Sequence, residues 1–418
     1  MKRQYSKIKN TSLLFILALS YSGISIASGF RIPEISTVGV GTSNALVANS
    51  TEVGALAYNP AAMSFHSGKA LSSGLTHIGY DVDVATAAGN FSSIGEDSFL
   101  VPNLYFMAQG YDKLSFGLAI NAPFGLETDY AAGTFPVFGT VGVFSALEPA
   151  LSKIKMVNVN PNMAYKIDDS ASFSVGVNFY NLRELVLNTQ SGFINGSGTG
   201  LGLRLGYLTK MNDWSFGLSY STSVDVDIKG SAALPPFAGA PPMGAFTSVE
   251  LPSLLQVGAA YRVNDKLQIE FDIEQTGWSS FDKIDIKNAS GTVLTSSVNN
   301  WEDATAYRLG VIYQLNDKAK LLFGYSDDPT PQKLEYFSAR VPDSDRVLYS
   351  VGFTHDMGND MTMEASYMTA DFDGRTVNST TSYAAGLPVN TDPNGTDAYN
   401  GVYDTSVDLF AVGITMKF

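Results

Sequence analysis

The sequence predicts an all-β fold, a 14-stranded antiparallel transmembrane barrel with an N-terminal hatch plugging its lumen. Three observations point there. Short segments alternate apolar with small or polar residues, Asn/Asp turns recur at even spacing, and the chain ends in an amphipathic segment whose last residue is Phe418. In hydrocarbon every backbone N–H and C=O must be satisfied within the protein, so a chain that crosses without apolar helices has to cross as a closed barrel.

From the N-terminus, Lys2, Arg3, Lys7 and Lys9 precede the apolar run Leu13–Leu19 and small residues ending at Ala27. This is the layout of a secretory signal peptide over residues 1–27. The apolar run falls short of the roughly 20 residues a spanning helix needs. Cleavage would start the mature chain at Ser28 and remove four basic residues, moving the formal charge from −14 to −18. Such a balance argues against nucleic acid as a partner, and an anionic lipid surface would repel the chain unless divalent cations bridge the two. There is no cysteine, so the exported chain must hold together without disulfides.

Residues 28–66 show no clean alternation and contain many small residues. They also carry Ile32, Ile35, Val38, Val40, Leu46, Val47, Val53, Leu56 and Met63, more apolar content than a solvated tail holds. A ring of fourteen strands is too wide for side chains alone to fill, so this segment is expected to be the plug, and residues 67–418 the barrel.

Within the barrel, Phe173, Val175, Val177 and Phe179 alternate with Ser172, Ser174, Gly176 and Asn178, and Trp214, Phe216, Leu218 and Tyr220 with Ser215, Gly217, Ser219 and Ser221. An apolar outer face and a small or polar inner face suit lipid outside and a lumen inside. Tight turns are expected at Asp112-Lys113, Asp168-Asp169, Asn212-Asp213, Asn264-Asp265, Asn316-Asp317 and Gly358-Asn359, where Asn and Asp tolerate turn angles and bond locally. They recur every 42 to 56 residues, room for two strands of roughly 9–11 residues plus a long loop. Six such hairpins make twelve strands, and one near Ala70–Val84 with one at the C-terminus makes fourteen.

Long loops are expected at Gly125–Ser152, Gln190–Ser197, Gly230–Ala245, Asn288–Glu302, Asp327–Ser344 and Asp373–Tyr403. Short turns then face the periplasm and long loops the exterior. Over the first of these loops, the stretch from Phe124 to Pro149 carries Phe124, Leu126, Phe135, Phe138 and Phe144, either a capture surface for a greasy ligand or a self-packed cluster. At the end, Phe410, Val412, Ile414, Met416 and Phe418 share one face, resembling the terminal-Phe signal read by the barrel-assembly machinery.

The hatch begins Ser28-Gly29-Phe30, with Pro33-Glu34, Gly39-x-Gly41 and Asn59-Pro60-Ala61-Ala62-Met63 following. Further along stand Asn121-Ala122-Pro123-Phe124-Gly125-Leu126, Asn158-x-Asn160-Pro161, Trp301-x-Asp303, Tyr307-Arg308-Leu309-Gly310 and Pro342-Asp343-Ser344-Asp345-Arg346. This ordered set, spanning essentially the whole mature chain, resembles the FadL/TodX family of outer-membrane transporters for long-chain fatty acids and aromatic hydrocarbons. The resemblance implies a fourteen-strand barrel closed by the hatch, a hydrophobic groove among the outer loops, a tighter pocket beside the hatch, and sideways exit through a gap at a kinked third strand. Asn59, Pro60, Ala61, Pro123 and Gly125 would then be gating residues. Pro123 cannot donate to a ladder and Gly125 removes packing, so they either interrupt the third strand or simply end it.

Phase places Arg204 and Arg308 in the lumen, with Gln268, Glu270, Asp272 and Glu274 sharing the inner face of another strand. These charges pair across the interior, or one arginine meets a ligand carboxylate. The resemblance aligns Arg183 with a basic residue at the substrate head group, yet its parity matches outward Phe173 and Phe179, so it faces inward only past a bulge. A second basic position of that kind falls near Asp285, which leaves neutral hydrocarbons open as ligands.

Enzyme chemistry has little support. His66, His77 and His355 lie apart, there is no cysteine nucleophile and no Gly-rich phosphate loop. The acidic runs Asp327-Asp328 and Asp343-Ser344-Asp345 fit no EF-hand, so neither metal nor cofactor is expected. The expected protein is a monomeric passive channel of the bacterial outer membrane for a hydrophobic small molecule, in contact with outer-membrane lipids and lipopolysaccharide. The competing readings are a general diffusion porin and a loop-mediated adhesin or phage receptor.

Overall fold

The structure, a computed structural model, describes residues 29–110, 112–140, 147–234, 241–383 and 394–418. The expected signal segment, Ser28 and Phe144 lie outside the described residues.

Fourteen strands form the wall. The first seven are β1 (Lys69–Thr86), β2 (Ser98–Gln109), β3 (Leu114–Asn121), β4 (Pro149–Lys166), β5 (Ala171–Thr189), β6 (Phe193–Met211) and β7 (Trp214–Ser221). The rest are β8 (Leu254–Asn264), β9 (Leu267–Thr276), β10 (Ala304–Asn316), β11 (Ala319–Asp328), β12 (Arg346–Gly358), β13 (Met361–Phe372) and β14 (Gly401–Lys417). Each pairs antiparallel with the next. β14 returns to β1, from Ala70 opposite Lys417 to Ala85 opposite Val402, and the ring is closed.

The predicted phase holds. Phe173, Val177 and Phe179 are exposed while Ser172, Ser174 and Asn178 are buried, and Phe410 and Val412 are exposed while Ala411 and Thr415 are buried. The six short turns fall at one end. Asp112, Asn212, Asn359 and Asp360 adopt positive φ, which Asn and Asp tolerate better than other side chains. Asp168 accepts from the Ser170 and Ala171 amides at 2.8 and 2.9 Å, an Asx-type turn.

At the other end the sheet runs on further than expected. Val224–Ala233 and Met243–Leu251 form a hairpin where a loop over Gly230–Ala245 was expected, and Lys283–Asn288 with Val293–Val298 form another. The expected Gln190–Ser197 loop shrinks to residues 190–192, because β5 and β6 extend to either side of it. The physical reason lies in the pattern. In the Val224–Ala233 extension the outward residues are Asp225, Asp227 and Lys229 and the buried ones Val224, Val226 and Ile228, the reverse of the lipid-facing rule.

Residues 29–66 are almost wholly buried and make only short local structure: a helix at Thr37–Gly41 and 3₁₀ turns at Val53–Ala57 and Pro60–Phe65. Backbone groups without a local partner are met by inward side chains from around the ring. Asp272 on β9 accepts from the Val47 amide at 3.0 Å, and Glu270 from Ala48 at 2.6 Å. Tyr105 (β2), Ser326 (β11) and Ser366 (β13) donate to the carbonyls of Ile35, Ser43 and Thr37. A Cβ at Gly217 or Gly324 would run into the backbone of Val47 or Ser43, so the wall is bare where the segment touches it.

Candidate functional site

The interior divides into two zones. Nearer the short turns it is polar. Arg31 forms a forked pair with Glu274 at 2.5 and 2.9 Å, Glu274 also accepts from Arg308 at 2.7 Å, and Asp328 stands 3.5 Å from Arg308 and 3.1 Å from Arg346. Arg204 donates to the Ala57 and Tyr58 carbonyls at 2.6 and 2.8 Å. Between them lies a chamber of about 50 Å³ lined by Asn121, Asn158, Asn178 and Arg204, large enough for water and wrong for hydrocarbon.

Towards the loops the interior is apolar. An inner chamber of about 530 Å³ is lined by Phe30, Ile32, Ile78, Phe124, Met156 and Leu409 among others. An outer one of about 260 Å³ lies against Leu182, Leu185, Val226, Ile228, Phe281 and Trp301. Together they fall in the size range of small-molecule sites, about 300–1,000 Å³. Phe30, Leu126, Ile154, Met156 and Val341 line both chambers and form the partition. Phe30 packs edge-on against Trp278 at 4.7 Å, and Trp278 against Trp301 at 5.0 Å.

The inner chamber reaches the wall where the wall is incomplete. β3 pairs with β2 only between Ile120 opposite Leu104 and Ser115 opposite Gln109, so residues 98–103 of β2 have no strand neighbour on that side among the described residues. Past Asn121 the chain turns inward: Pro123 O accepts from the Ile32 amide at 2.8 Å and Gly125 N donates to Phe30 O at 3.1 Å. Pairing with β4 resumes at Gly125–Thr128, so Pro123 marks an interruption and not the end of the strand. Leu100, 64% exposed, and Pro102 edge the opening and also line the chamber. Above it Glu96 N donates to Glu127 at 2.9 Å, and Lys153 bridges Glu127 and Glu96 at 2.7 and 3.5 Å.

Charged groups border both chambers: Arg31, Glu34, Glu96, Glu127, Lys155, Asp343 and Arg346 the inner one, Lys153 and Arg340 the outer one. Arg340 lines the outer chamber and donates to Ser152 Oγ and Asn188 O, both at 2.7 Å, with no ion pair among the described residues. Burial holds its guanidinium below the usual value. In the inner chamber burial pushes Asp343 up to about 6, against the pull of Arg346, while Asp343 accepts from the Gly29 amide and the Thr330 hydroxyl.

The profile of the family described as Outer membrane protein transport protein (OMPP1/FadL/TodX) matches residues 18–418. The chain belongs to this FadL/TodX family. It is 24% identical to a long-chain fatty acid transport protein of Escherichia coli over 403 residues, 82% of this chain and 88% of that one. Outer membrane protein P1 of Haemophilus influenzae is 24% identical over 421 residues, 86% and 89% of the two chains. The crystal structure of a Pseudomonas aeruginosa FadL homologue superposes with a TM-score of 0.77 at 17% identity, covering 94% of this chain and all of that one. The Ralstonia pickettii toluene transporter TbuX gives 0.67 at 18% identity over 92% and 98%. These relatives are outer-membrane transport proteins and not enzymes, and the chain is a FadL/TodX-type outer-membrane transporter.

Set against the FadL/TodX expectations, the sequence-derived residues separate into groups. Phe124 and Leu126 line the chambers, while Phe135 and Phe138 are buried in a cap with Tyr130, Tyr383 and Tyr399 and line neither. Arg204 and Arg308 sit inward as expected, but outside both apolar chambers, engaged with the N-terminal segment and with carboxylates. Arg183 is exposed on the outer surface; the bulge that was to turn it inward exists, between Leu182 and Leu185, but buries those two leucines and leaves Arg183 outside. Asn59 is buried, its amide donating to Val47 O and Tyr207 O at 2.9 Å, and Pro60 and Ala61 are buried beside it. Sequence reading missed Arg340, Trp278 and Phe281. The inverted alternation at 224–228 was a usable sign of an apolar interior; Arg340, in an aperiodic loop, left none.

Proposed function

We propose that this protein is a passive channel for hydrophobic small molecules, long-chain fatty acids or related hydrocarbons. Ligand enters the outer chamber from the loops, passes the Phe30 partition beside the N-terminal hatch, and leaves sideways into the membrane between β2 and the interruption at 122–124. One observation carries this reading. The inner apolar chamber abuts a gap in hydrogen-bonded wall, while its lining Arg31 is tied to Glu274 and through it to Arg308, a charged floor behind the chamber. An alkyl chain loses nothing by moving from an apolar chamber into lipid, whereas crossing the floor would strip buried charges of their partners.

No energy source is needed, because ligand binding can shift the hatch between states a few kcal/mol apart. Of the two cations lining the outer chamber Lys153 is held by Glu127 and Glu96, whereas Arg340 has no carboxylate partner among the described residues and is available to a carboxylate head, charge-assisted bonds of that kind being the strong ones. Uptake in a strain lacking its own transporter, compared among oleate, toluene and an n-alkane, tests the proposal. Accumulation of at least one well above the empty-vector control is expected, with little ionic conductance in planar bilayers. Large steady conductance with no uptake of any of the three would replace this reading with the porin.

A further inference from the structure

The outer surface of the loop-side wall carries a row of cations, of which only Lys155 borders the inner chamber. Adjacent strands place Lys155 on β4 beside the bulge holding Arg183 on β5. Ser197 on β6 follows, opposite Lys229, which pairs with Phe246, which pairs in turn with Lys287. All six are exposed. Lys155 shares Glu96 with Lys153 at 3.5 Å, while Arg183, Lys229 and Lys287 form no ion pair among the described residues. In a chain of formal charge −14, three cations on neighbouring strands thus stand without a carboxylate at ion-pair distance among the described residues.

The row has a definite height. Arg183 stands four residues beyond Phe179, the last large outward apolar residue of β5, and Ser197 four beyond Leu201 on β6. Beneath them Phe179, Leu201 and Leu203 are 40, 66 and 53% exposed. Strands of such barrels tilt by roughly 35–45°, so a row running across the strands climbs away from the hydrocarbon as it proceeds to Lys229 and Lys287. A flat layer of simple phospholipid heads would meet only its lower end. A tall headgroup bearing phosphates at more than one level would meet all of it.

We infer that this face is a docking site for a phosphorylated glycolipid of the outer leaflet, with acyl chains against Phe179, Leu201 and Leu203 and sugar phosphates along Arg183, Lys229 and Lys287. Guanidinium and ammonium groups donate to phosphate oxygens without a competing carboxylate in contact. The nearest opposing charges are Glu184, Asp227 and Asp285, the last held by Lys283 at 3.0 Å and Ser296 at 2.7 Å.

The test uses delipidated full-length protein in detergent, with binding of bisphosphorylated lipid A followed by native mass spectrometry. The triple variant Arg183→Gln/Lys229→Gln/Lys287→Gln should bind on the order of tenfold or more weaker than the unmodified protein. Lipid A stripped of phosphate should bind the unmodified protein as weakly as lipid A binds the triple variant, and Asp227→Asn should tighten binding. Arg262→Gln/Lys266→Gln/Lys318→Gln, at the short-turn end, should change nothing. Should the triple variant fail the heat-modifiable mobility check for a folded barrel, Arg183→Gln and Lys229→Gln alone should each give a smaller loss. Equal affinity of folded variants and unmodified protein, or displacement of lipid A by equimolar phosphatidylglycerol or by inorganic phosphate, would overturn the inference.

Discussion

The two halves of the interior are built on opposite rules although they share the same strands' wall. On the short-turn side, inward side chains are acceptors and donors: Glu270 and Asp272 take amides of the N-terminal segment, and Arg204 takes its carbonyls. On the loop side, inward side chains such as Val226 and Ile228 offer nothing to bond. Polypeptide backbone cannot lie against a wall of the second kind without leaving N–H and C=O groups unsatisfied, at about 1–3 kcal/mol each. An alkyl or aryl ligand gains nothing from a wall of the first kind. What each half presents inward therefore states what that half is built to hold.

The largest effect should come from breaking the polar half at its centre. Glu274→Gln removes the charge shared by Arg31 and Arg308, and stranding buried guanidinium groups costs roughly 3–5 kcal/mol. Faster trypsin cleavage at Arg31 in the folded barrel and raised ionic conductance are expected; if both stay at the parental level, the ion network does not hold the segment and the contrast between halves fails.

Next in size is the pH dependence of the junction below it. His66 is held down to about 4 by burial, with Lys417 and Lys210 adding to the effect and Glu52 opposing it. A histidine depressed on folding contributes stability that is complete above about 6.5 and is lost as pH falls toward 4, on the order of 3 kcal/mol once fully protonated. His66→Gln should flatten the fall in thermal midpoint across that window, and an unchanged slope would assign the acid sensitivity elsewhere.

A moderate effect is expected at the opening. The Cβ of an isoleucine at Gly125 would meet Ile32 Cδ1 at 2.9 Å and add bulk at the gap. Gly125→Ile should cut uptake roughly tenfold with the fold intact, overpacking of this kind costing about 1–3 kcal/mol; parental uptake would remove the lateral route. The smallest and most selective effect belongs to Arg340→Met. Carboxylate ligands should bind roughly tenfold weaker, since hydrogen bonds to charged groups are worth about 1.5–3 kcal/mol, while neutral hydrocarbons bind as before. Equal losses for both would make Arg340 a packing residue only.

The membrane-spanning part was legible because lipid imposes one rule on every strand, and Phe173 to Phe179 or Trp214 to Tyr220 display it without interruption. The six turns were legible because Asp112, Asn212 and Asn359 hold angles few other residues accept. The chambers were read only in part. Phe124 and Leu126 stood beside a proline that breaks a strand, a local signal, whereas Phe135 and Phe138 lay in the same apolar stretch yet pack into a cap, a difference decided by partners far away such as Tyr399. Arg183 was misplaced because resemblance outweighed its own parity. Arg340 depends on Ser152 and Asn188, more than 150 residues distant, and no spacing announces that.

The closing pairing of β14 with β1 fixes an order of events during folding. Residues 29–66 precede β1 and are gripped by side chains from β2 through β13, so the sites that hold them are complete only once those strands stand together. Zipping the first strand to the last and trapping the leading segment become a single late step, joining the most distant parts of the chain. Contacts of such long sequence separation form slowly, and until they do an unpaired strand at each margin stays open to a helper protein or to a second chain.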